Sequence, residues 1–456
     1  MNKSMIRYLL SKLLLIEAVL LLVPVAIAVY YRESSQVFTA LFSTIGILVL
    51  LGGSGSLQKP KNQRIYAKEG VLIVALCWIL WSFFGGLPFV FSGQIPSLID
   101  AFFEISSGFT TTGASILNDV SVLSRSLLFW RSFTHLIGGM GVLVFALAIM
   151  DNAKNSHLEV MKAEVPGPVF GKVVSKLKNT AQILYLLYLA LFSLFVIIYY
   201  LAGMPLYDSF VIAMGTAGTG GFTVYNDGIA HYGSSLITYL VSIGVDEELR
   251  AYLVIVLVST GLISLNTLYL YPGFSKSFEM TFFQVSNIIT TTGFGYGDIT
   301  NWPLFSQFIL LFLMAIGGSA GSTAGGLKII RGLILSKIAK NQILSILSPH
   351  RVLTLHVNKT VIDKDTQHKI LKYFVIYAMI LLALIFIVSL DSNDFLVVTS
   401  AVFSCFNNIG PILGTTSSFS IFSPISKILL SFAMIAGRLE IYPILLLFMK
   451  RTWSKR

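Results

Sequence analysis

Cysteine is nearly absent from this chain: two thiols in 456 residues, Cys77 and Cys405, each alone in an apolar stretch. That excludes a disulfide framework and a thiolate metal site, and leaves both as small buried hydrophobes. Charge is scarce too, at 12% of residues against roughly 25% in soluble domains. The six histidines, at 135, 157, 231, 350, 356 and 368, lack metal-ligand spacing. No Ser/His/Asp or paired-carboxylate constellation shares a frame, so nothing supports an enzyme. The net charge of +11 finds no folded basic domain through which to bind nucleic acid. What the chain does have is 55% hydrophobic residues and a mean hydropathy of +0.80, the composition of an all-α polytopic membrane protein whose principal solvent is lipid.

Nine apolar runs are long enough to cross: Tyr8–Tyr31, Val37–Leu51, Gly70–Phe91, Leu127–Met150, Ala181–Met204, Ala251–Tyr271, Leu304–Leu335, Ile370–Leu390 and Ile428–Met449. The first follows a basic start and contains Ala26-Ile27-Ala28, but it continues through Tyr31 and so reads as a retained helix rather than a signal peptide. Segments 1–12, 55–68, 151–180, 331–372 and 450–456 carry 24 of the 32 Lys and Arg, which places them, and both termini, in the cytoplasm. The alternate segments, with Asp100, Asp119, Asp208, Asp227, Asp298, Asp391 and Asp394, face outside. Two cytoplasmic termini require an even number of crossings, so ten are expected. The tenth can only be Leu236–Val245, about 15 Å of helix against a core of about 30 Å.

The chain is organised around Ser286 to Arg331, where an apolar stretch ends in Thr290-Thr291-Thr292-Gly293-Phe294 and a later one holds five glycines between Gly317 and Gly326. Backbone so irregular survives at membrane depth only where protein buries it or water lines it. The first part recurs. AFFEISSGFTTTGAS (101–115), SFVIAMGTAGTGGFT (209–223), TFFQVSNIITTTGFG (281–295) and AVFSCFNNIGPILG (401–414) are each too short to span and end in a glycine flanked by Thr, Asn or Phe. Asp100 and Asp208 stand thirteen residues before Gly113 and Gly221 and read as helix caps. Each copy reads as a re-entrant hairpin, a half-helix dipping in and an extended Thr/Gly segment climbing out. Around one axis, four such segments would supply a ring of carbonyl oxygens that replaces a cation's hydration shell. The inward C-terminal ends of the half-helices would add negative potential, favouring monovalent cations. For a single copy, close helix packing through small residues explains the pattern as well; four copies on one side point to the hairpin.

TTTGA, TGGFT, TTTGFG and NNIGP, together with FWRSFTHLIGGMGV (129–142), AEVPGP (163–168), GGSAGSTAGGLK (317–328) and GRLE (437–440), resemble the Trk-type potassium uptake proteins, the TrkH branch of the TrkH/KtrB/HKT superfamily. The two helices before Gly70 favour TrkH over KtrB. The resemblance implies four helix, pore-loop, helix repeats at 69–180, 181–249, 250–369 and 370–456 around a central pore, with 1–68 as an added two-helix segment and loop. It implies a selectivity filter at Thr111, Thr112, Gly113, Gly220, Gly221, Thr291, Thr292, Gly293, Asn408, Ile409 and Gly410, with K⁺ on the backbone carbonyls of Thr111, Thr112, Thr291, Thr292, Asn408 and Ile409. The transported ion would be K⁺, with no cofactor bound in this chain. A homodimer in the bacterial plasma membrane is implied, docked through 151–180 and 331–372 to a cytosolic TrkA-like ring that carries the regulatory nucleotide.

Gly317, Gly318, Ser319, Ala320, Gly321, Ser322, Thr323, Ala324, Gly325 and Gly326 admit a small-residue packing face or a break inside the membrane; the two glycine doublets favour the break. The resemblance makes that break a gate beneath the filter. Lys328 does not directly follow the glycine and Ile329 stands where Ser or Thr is needed, so this is no P-loop. Arg438 and Glu440 lie inside the last apolar run. Arg438 either pairs with Glu440 or the Glu104 region or, as the resemblance implies, faces the pore to slow conduction or anchor the gate. Lys328 reads as an interfacial anchor, Glu17 as facing a protein neighbour, and Asp298 equally as a mouth charge or a solvated one. The glycine-to-glycine intervals are 108, 72 and 117 residues; the middle one is short for the family, and half a pore-lining helix near Ile243–Asp246 is expected to be missing. A K⁺ channel, an ion-coupled symporter and a non-conducting assembly subunit therefore all stay open.

Overall fold

The computed structural model describes residues 2–60, 67–141, 177–224, 247–295, 299, 301–318, 325–347, 355–357, 360–414, 418–439 and 441–453. Their regular secondary structure is helical apart from one two-residue-per-strand hairpin. The first expected crossing is a bent pair, α1 (Lys3–Leu20) and α2 (Leu22–Tyr31), with Pro24 just past the bend, where it donates no hydrogen bond back to Leu20. Next come α3 (Ser35–Ser56) and α4 (Ala67–Phe91). Among the described residues, Lys3–Tyr31, Ser35–Ser56, Lys68–Phe91 and Lys364–Val388 are long and apolar enough to cross.

A pattern then recurs. Short helices α5 (Leu98–Phe109), α8 (Leu206–Gly218), α10 (Phe274–Ile289) and α14 (Phe395–Phe406) alternate with longer neighbours: α6 (Arg125–Met140), α7 (Leu177–Leu201), α9 (Glu247–Asn266), and α13 (Lys364–Val388). With 12, 13, 16 and 12 residues, the short helices reach only about 18–24 Å at 1.5 Å per residue, less than a bilayer core. Each gives way to non-helical chain at the glycine-ended stretch, as the short runs suggested.

Two apolar runs are broken, the first where the glycine doublets favoured a break and the second where none was expected. Leu304–Leu335 divides into α11 (Leu304–Ile316) and α12 (Ile329–Leu347), because Gly317 and Gly326 take φ of 71 and 81. Ile428–Met449 divides into α15 (Pro424–Arg438) and α16 (Tyr442–Phe448), with Ile441 at φ 67 at the turn. The helix starts also differ from the expected caps. Ser97, extended at φ −77, caps α5 by accepting from the Asp100 amide at 3.3 Å, and Pro205 precedes α8. Asp100 and Asp208 sit instead in the first turn, where the positive helix end favours a carboxylate. Asp394 does cap α14, accepting from the amides of Leu396 and Val397.

The core is aromatic and small-residue based where α4 meets α5. A Cβ at Gly86 would stand 3.1 Å from the Ala101 carbonyl oxygen, so the helices touch backbone to backbone, and Trp130 of α6 donates to the Gly85 carbonyl at 2.9 Å. This fixes α5, and with it the chain that leaves its end. Between α12 and α13 the strands β1 (His356–Val357) and β2 (Thr360–Val361) pair antiparallel over a small cluster of Ile330, Ile334, Leu355, Ile362 and Ile370.

Candidate functional site

All four short helices end the same way. Thr111, Thr219, Thr291 and Asn408 stand at left-handed φ of 56, 53, 54 and 56, and the glycines two residues on, Gly113, Gly221, Gly293 and Gly410, at 80, 74, 77 and 110. In each copy the left-handed residue's amide bonds back three residues and the next amide five. The pairs are Thr111 to Gly108 and Thr112 to Ser107, Thr219 to Thr216 and Gly220 to Gly215, Thr291 to Ile288 and Thr292 to Asn287, Asn408 to Cys405 and Ile409 to Ser404, at 2.7–3.4 Å. This is the Schellman ending, normally built on glycine. Here three of the four left-handed residues are β-branched threonines, a backbone cost of roughly 1–2 kcal/mol each.

The four endings close on one another. A Cβ placed on Gly113 would strike the carbonyl oxygen of Gly220; one on Gly221 would strike that of Thr292; one on Gly293, that of Ile409; and one on Gly410 would lie 2.7 Å from that of Thr112. The order 113, 221, 293, 410 and back to 112 is a ring made by one chain. The closing carbonyls belong to the residues just before the glycines: Thr112, Gly220, Thr292 and Ile409. Of the sequence-nominated residues, Thr112, Gly113, Gly220, Gly221, Thr292, Gly293, Ile409 and Gly410 make these contacts, and Thr111, Thr291 and Asn408 are the left-handed residues just before them. Thr219, left-handed at φ 53, belongs with these three and was not nominated.

The side chains that hold the ring differ by quarter. In the first, the Thr110 and Thr112 hydroxyls pair at 2.7 Å, and buried Glu104 accepts from Ser115 Oγ and the Ile116 amide, both at 2.9 Å. In the third, Thr290 and Thr292 pair at 2.6 Å, and Asn287 grips the Phe294 backbone from both sides at 2.7 and 2.8 Å. In the fourth, Ser404 accepts from the Gly410 amide at 2.9 Å, and Asn408 Nδ2 donates to Thr112 Oγ1 and the Met434 carbonyl, both at 2.9 Å. The second rests on Phe222, stacked on His135 at 4.1 Å between ring centroids. No metal-ligating His/Cys/Asp/Glu group occurs among the described residues; the ring offers oxygens alone.

Next to the ring lies the α11–α12 break. Gly317 and Gly326 meet, with a Cβ on Gly326 only 3.3 Å from the Gly317 Cα. The Leu327 amide bonds to the Ala315 carbonyl at 3.3 Å and the Ile329 amide to that of Gly318 at 3.2 Å. The break is therefore a loop tied at its neck. Its tip, 319–324, lies outside the described residues. The Gly325 amide reaches the Asn407 carbonyl at 3.1 Å, one residue before left-handed Asn408.

The charged residues fall less as expected. Glu104 pairs with Arg131 Nε at 2.6 Å, both fully buried, so it is engaged elsewhere than with Arg438. Arg438 instead donates through Nη2 to the carbonyls of Gly138 and Gly139 at the end of α6, where a cation meets the negative helix terminus. Glu440 and Asp298 lie outside the described residues. Lys328 is not an interfacial anchor: it is 1% exposed at φ 68, because α12 starts at the next residue and the Lys328 carbonyl accepts from Arg331 and Gly332. Glu17 does face protein, sharing the space over Gly85 with Ile105 and Phe109. The stretch 163–168 and the short tenth run, Leu236–Val245, are outside the described residues.

A family model described as "TrkH: Cation transport protein" matches residues 34–245 and 264–455. The Trk system potassium uptake protein TrkG of Escherichia coli strain K12 is 31% identical over 464 residues, 95% of each chain. The Trk system potassium uptake protein TrkH of Vibrio parahaemolyticus is 30% identical over 483 residues, 99% of each. That alignment is longer than this 456-residue chain, so the relative carries segments that this chain lacks. The crystal structure of the potassium transporter TrkH from Vibrio parahaemolyticus superposes with a TM-score of 0.89 over 100% of both chains at 28% identity.

Proposed function

The chain belongs to the TrkH family of cation transport proteins, and we propose that it carries potassium into the bacterial cell across the plasma membrane through a channel-like, K⁺-selective pore. The observation that supports this best is the ring in which the carbonyls of Thr112, Gly220, Thr292 and Ile409 meet the glycines of the neighbouring quarters. Oxygens so arranged can replace a hydration shell without a charged ligand. In this reading K⁺ rests on the carbonyls of Thr111, Thr112, Thr291, Thr292, Asn408 and Ile409, joined by Gly220. The four short-helix repeats occupy 69–180, 181–249, 250–369 and 370–456.

The tied loop at Gly317–Gly326 is the gate, and Arg438 is a pore charge beneath the ring. Both termini are cytoplasmic, the protein is a homodimer, and 151–180 with 331–372 dock a nucleotide-sensing TrkA-like ring. Cation uptake supplies no chemistry for an enzyme. The family model passes over residues 246–263, inside the short middle interval, so conduction is measured on this chain directly.

K⁺ and Na⁺ flux into liposomes, with and without a pH gradient, tests the reading. Passive flux of K⁺ above Na⁺ is expected. Equal fluxes overturn the selectivity; flux that needs the pH gradient favours an ion-coupled symporter; no flux favours a non-conducting assembly subunit.

A further inference from the structure

One quarter of the ring is held by charge. Glu104, on α5, is fully buried and spends both carboxylate oxygens on three donors: Arg131 Nε and Ser115 Oγ on Oε1, the Ile116 amide on Oε2. Its acceptors hold the strand that leaves Gly113, while Arg131 belongs to α6. The guanidinium carbon of Arg131 lies 3.3 Å from the centroid of the Phe222 ring, and Phe222 directly follows Gly221. His135, one turn further along α6, stacks on the same ring at 4.1 Å. Glu104, Arg131 and Phe222 are 0, 2 and 1% exposed. A charge-assisted pair and a cation–π contact, both sheltered from water, are far stronger there than at a surface.

The third and fourth quarters use neutral partners, Asn287 in the third and Ser400 and Ser404 in the fourth. In the first, an ion pair continues into an aromatic contact that crosses to the second quarter. We propose that Glu104, Arg131 and Phe222 form a clamp that sets the register of the first ring segment against the second, and so act as positioning residues for cation selectivity. This rests on the reading of the ring as a cation filter. An error of a few tenths of an ångström between Gly113 and Gly220 would alter the arrangement of the oxygens that replace the hydration shell, and with it the balance between K⁺ and Na⁺.

The test uses the full-length protein in liposomes, with Glu104→Gln, Phe222→Leu and the double variant. Phe222→Leu stays apolar and loses the ring face, so it breaks the contact without leaving a buried charge unpaired. The K⁺:Na⁺ flux ratio is expected to fall about tenfold, or 1.4 kcal/mol, in each single variant, and no further in the double variant, because the clamp acts as one unit. A merely structural role would lower all cation fluxes together and leave the ratio alone. Single variants within twofold of the wild-type ratio, or losses that add in the double variant, overturn the clamp. If wild type does not discriminate between the ions, the filter reading fails instead. The clamp is then judged by the unfolding midpoints of the same four proteins in detergent, where non-additive shifts support it and additive shifts overturn it.

Discussion

Gly293→Ala is the sharpest perturbation of the ring. Gly293 has φ 77, and a Cβ there would stand 3.2 Å from the Ile409 carbonyl carbon, 3.4 Å from the Thr112 oxygen, and closer still to the Ile409 oxygen. The first cost is conformational: an L-residue in the left-handed region loses roughly 1–2 kcal/mol. The second is steric and has no cheap relief, since every atom met is backbone and no side chain can rotate away. Either the Ile409 carbonyl swings out or the ring widens. Each removes a first-rank oxygen contact, and a differential loss of about 1.4–2.8 kcal/mol lowers the K⁺:Na⁺ flux ratio ten- to a hundredfold.

The matched control lies two residues along. Gly295 has no left-handed φ, and a Cβ added there would meet nothing within 4 Å, so Gly295→Ala should keep the ratio within twofold. Isotopic K⁺ and Na⁺ uptake into liposomes, normalised to incorporated protein, reads both. A Gly293→Ala protein with the wild-type ratio refutes the reasoning. So does a Gly295→Ala protein that loses as much, because the effect would then follow loop composition and not the close approach.

Other changes test the surroundings of the ring. Asn408→Asp removes the donor to Thr112 Oγ1 and the Met434 carbonyl; a stability loss of about 1–3 kcal/mol should lower both the unfolding midpoint and the K⁺:Na⁺ ratio, and an unchanged midpoint contradicts it. Gly325→Ala would put a Cβ 2.5 Å from the Asn407 carbonyl carbon. It should detach the loop and raise basal K⁺ flux several-fold, whereas wild-type leak would deny the loop a gating role. Arg438→Gln removes the cation at the Gly138 and Gly139 carbonyls, with a loss of about 1.5–3 kcal/mol for charge-assisted bonds. Faster K⁺ flux from a less stable protein is expected, and slower flux would rule out a pore charge.

Re-entrant helices were legible because length is physical: a dozen apolar residues ended by glycine cannot span a bilayer, whatever the neighbours do. The α11–α12 break was legible for the same kind of reason, since paired glycines announce backbone freedom. The α15–α16 break was overlooked although Pro443, at the start of α16, marks it; Ile441 takes φ 67 and its amide bonds back to the Ala436 carbonyl. Lys328 was misplaced because hydropathy treats every lysine as wet, and only the fold shows that α12 begins inside the protein. Ser97 outranked Asp100 as a cap because the cap is the residue that stays extended, and Asp100 already lies inside the first helical turn. The Arg131–Glu104 pair was not legible: 27 residues separate the two on different helices, and no periodicity joins them.

The ring is symmetric in backbone and asymmetric in side chains, and the strain explains why. Left-handed Thr111, Thr219 and Thr291 would relax if the segments were free. The Schellman bonds satisfy their carbonyls but do not forbid that relaxation, since they are local to each helix end. What forbids it is contact between quarters: Asn408 reaches Thr112 across the join of the fourth and first, and Arg131 on Phe222 spans the first and second. Each quarter meets a different neighbour, so each needs a different holding group. A single chain can supply four unlike ones, which four identical subunits could not. The unequal repeats are therefore the means by which a strained, fourfold backbone is kept closed, and substitutions at the joins should disturb selectivity more than substitutions of equal size inside a single quarter.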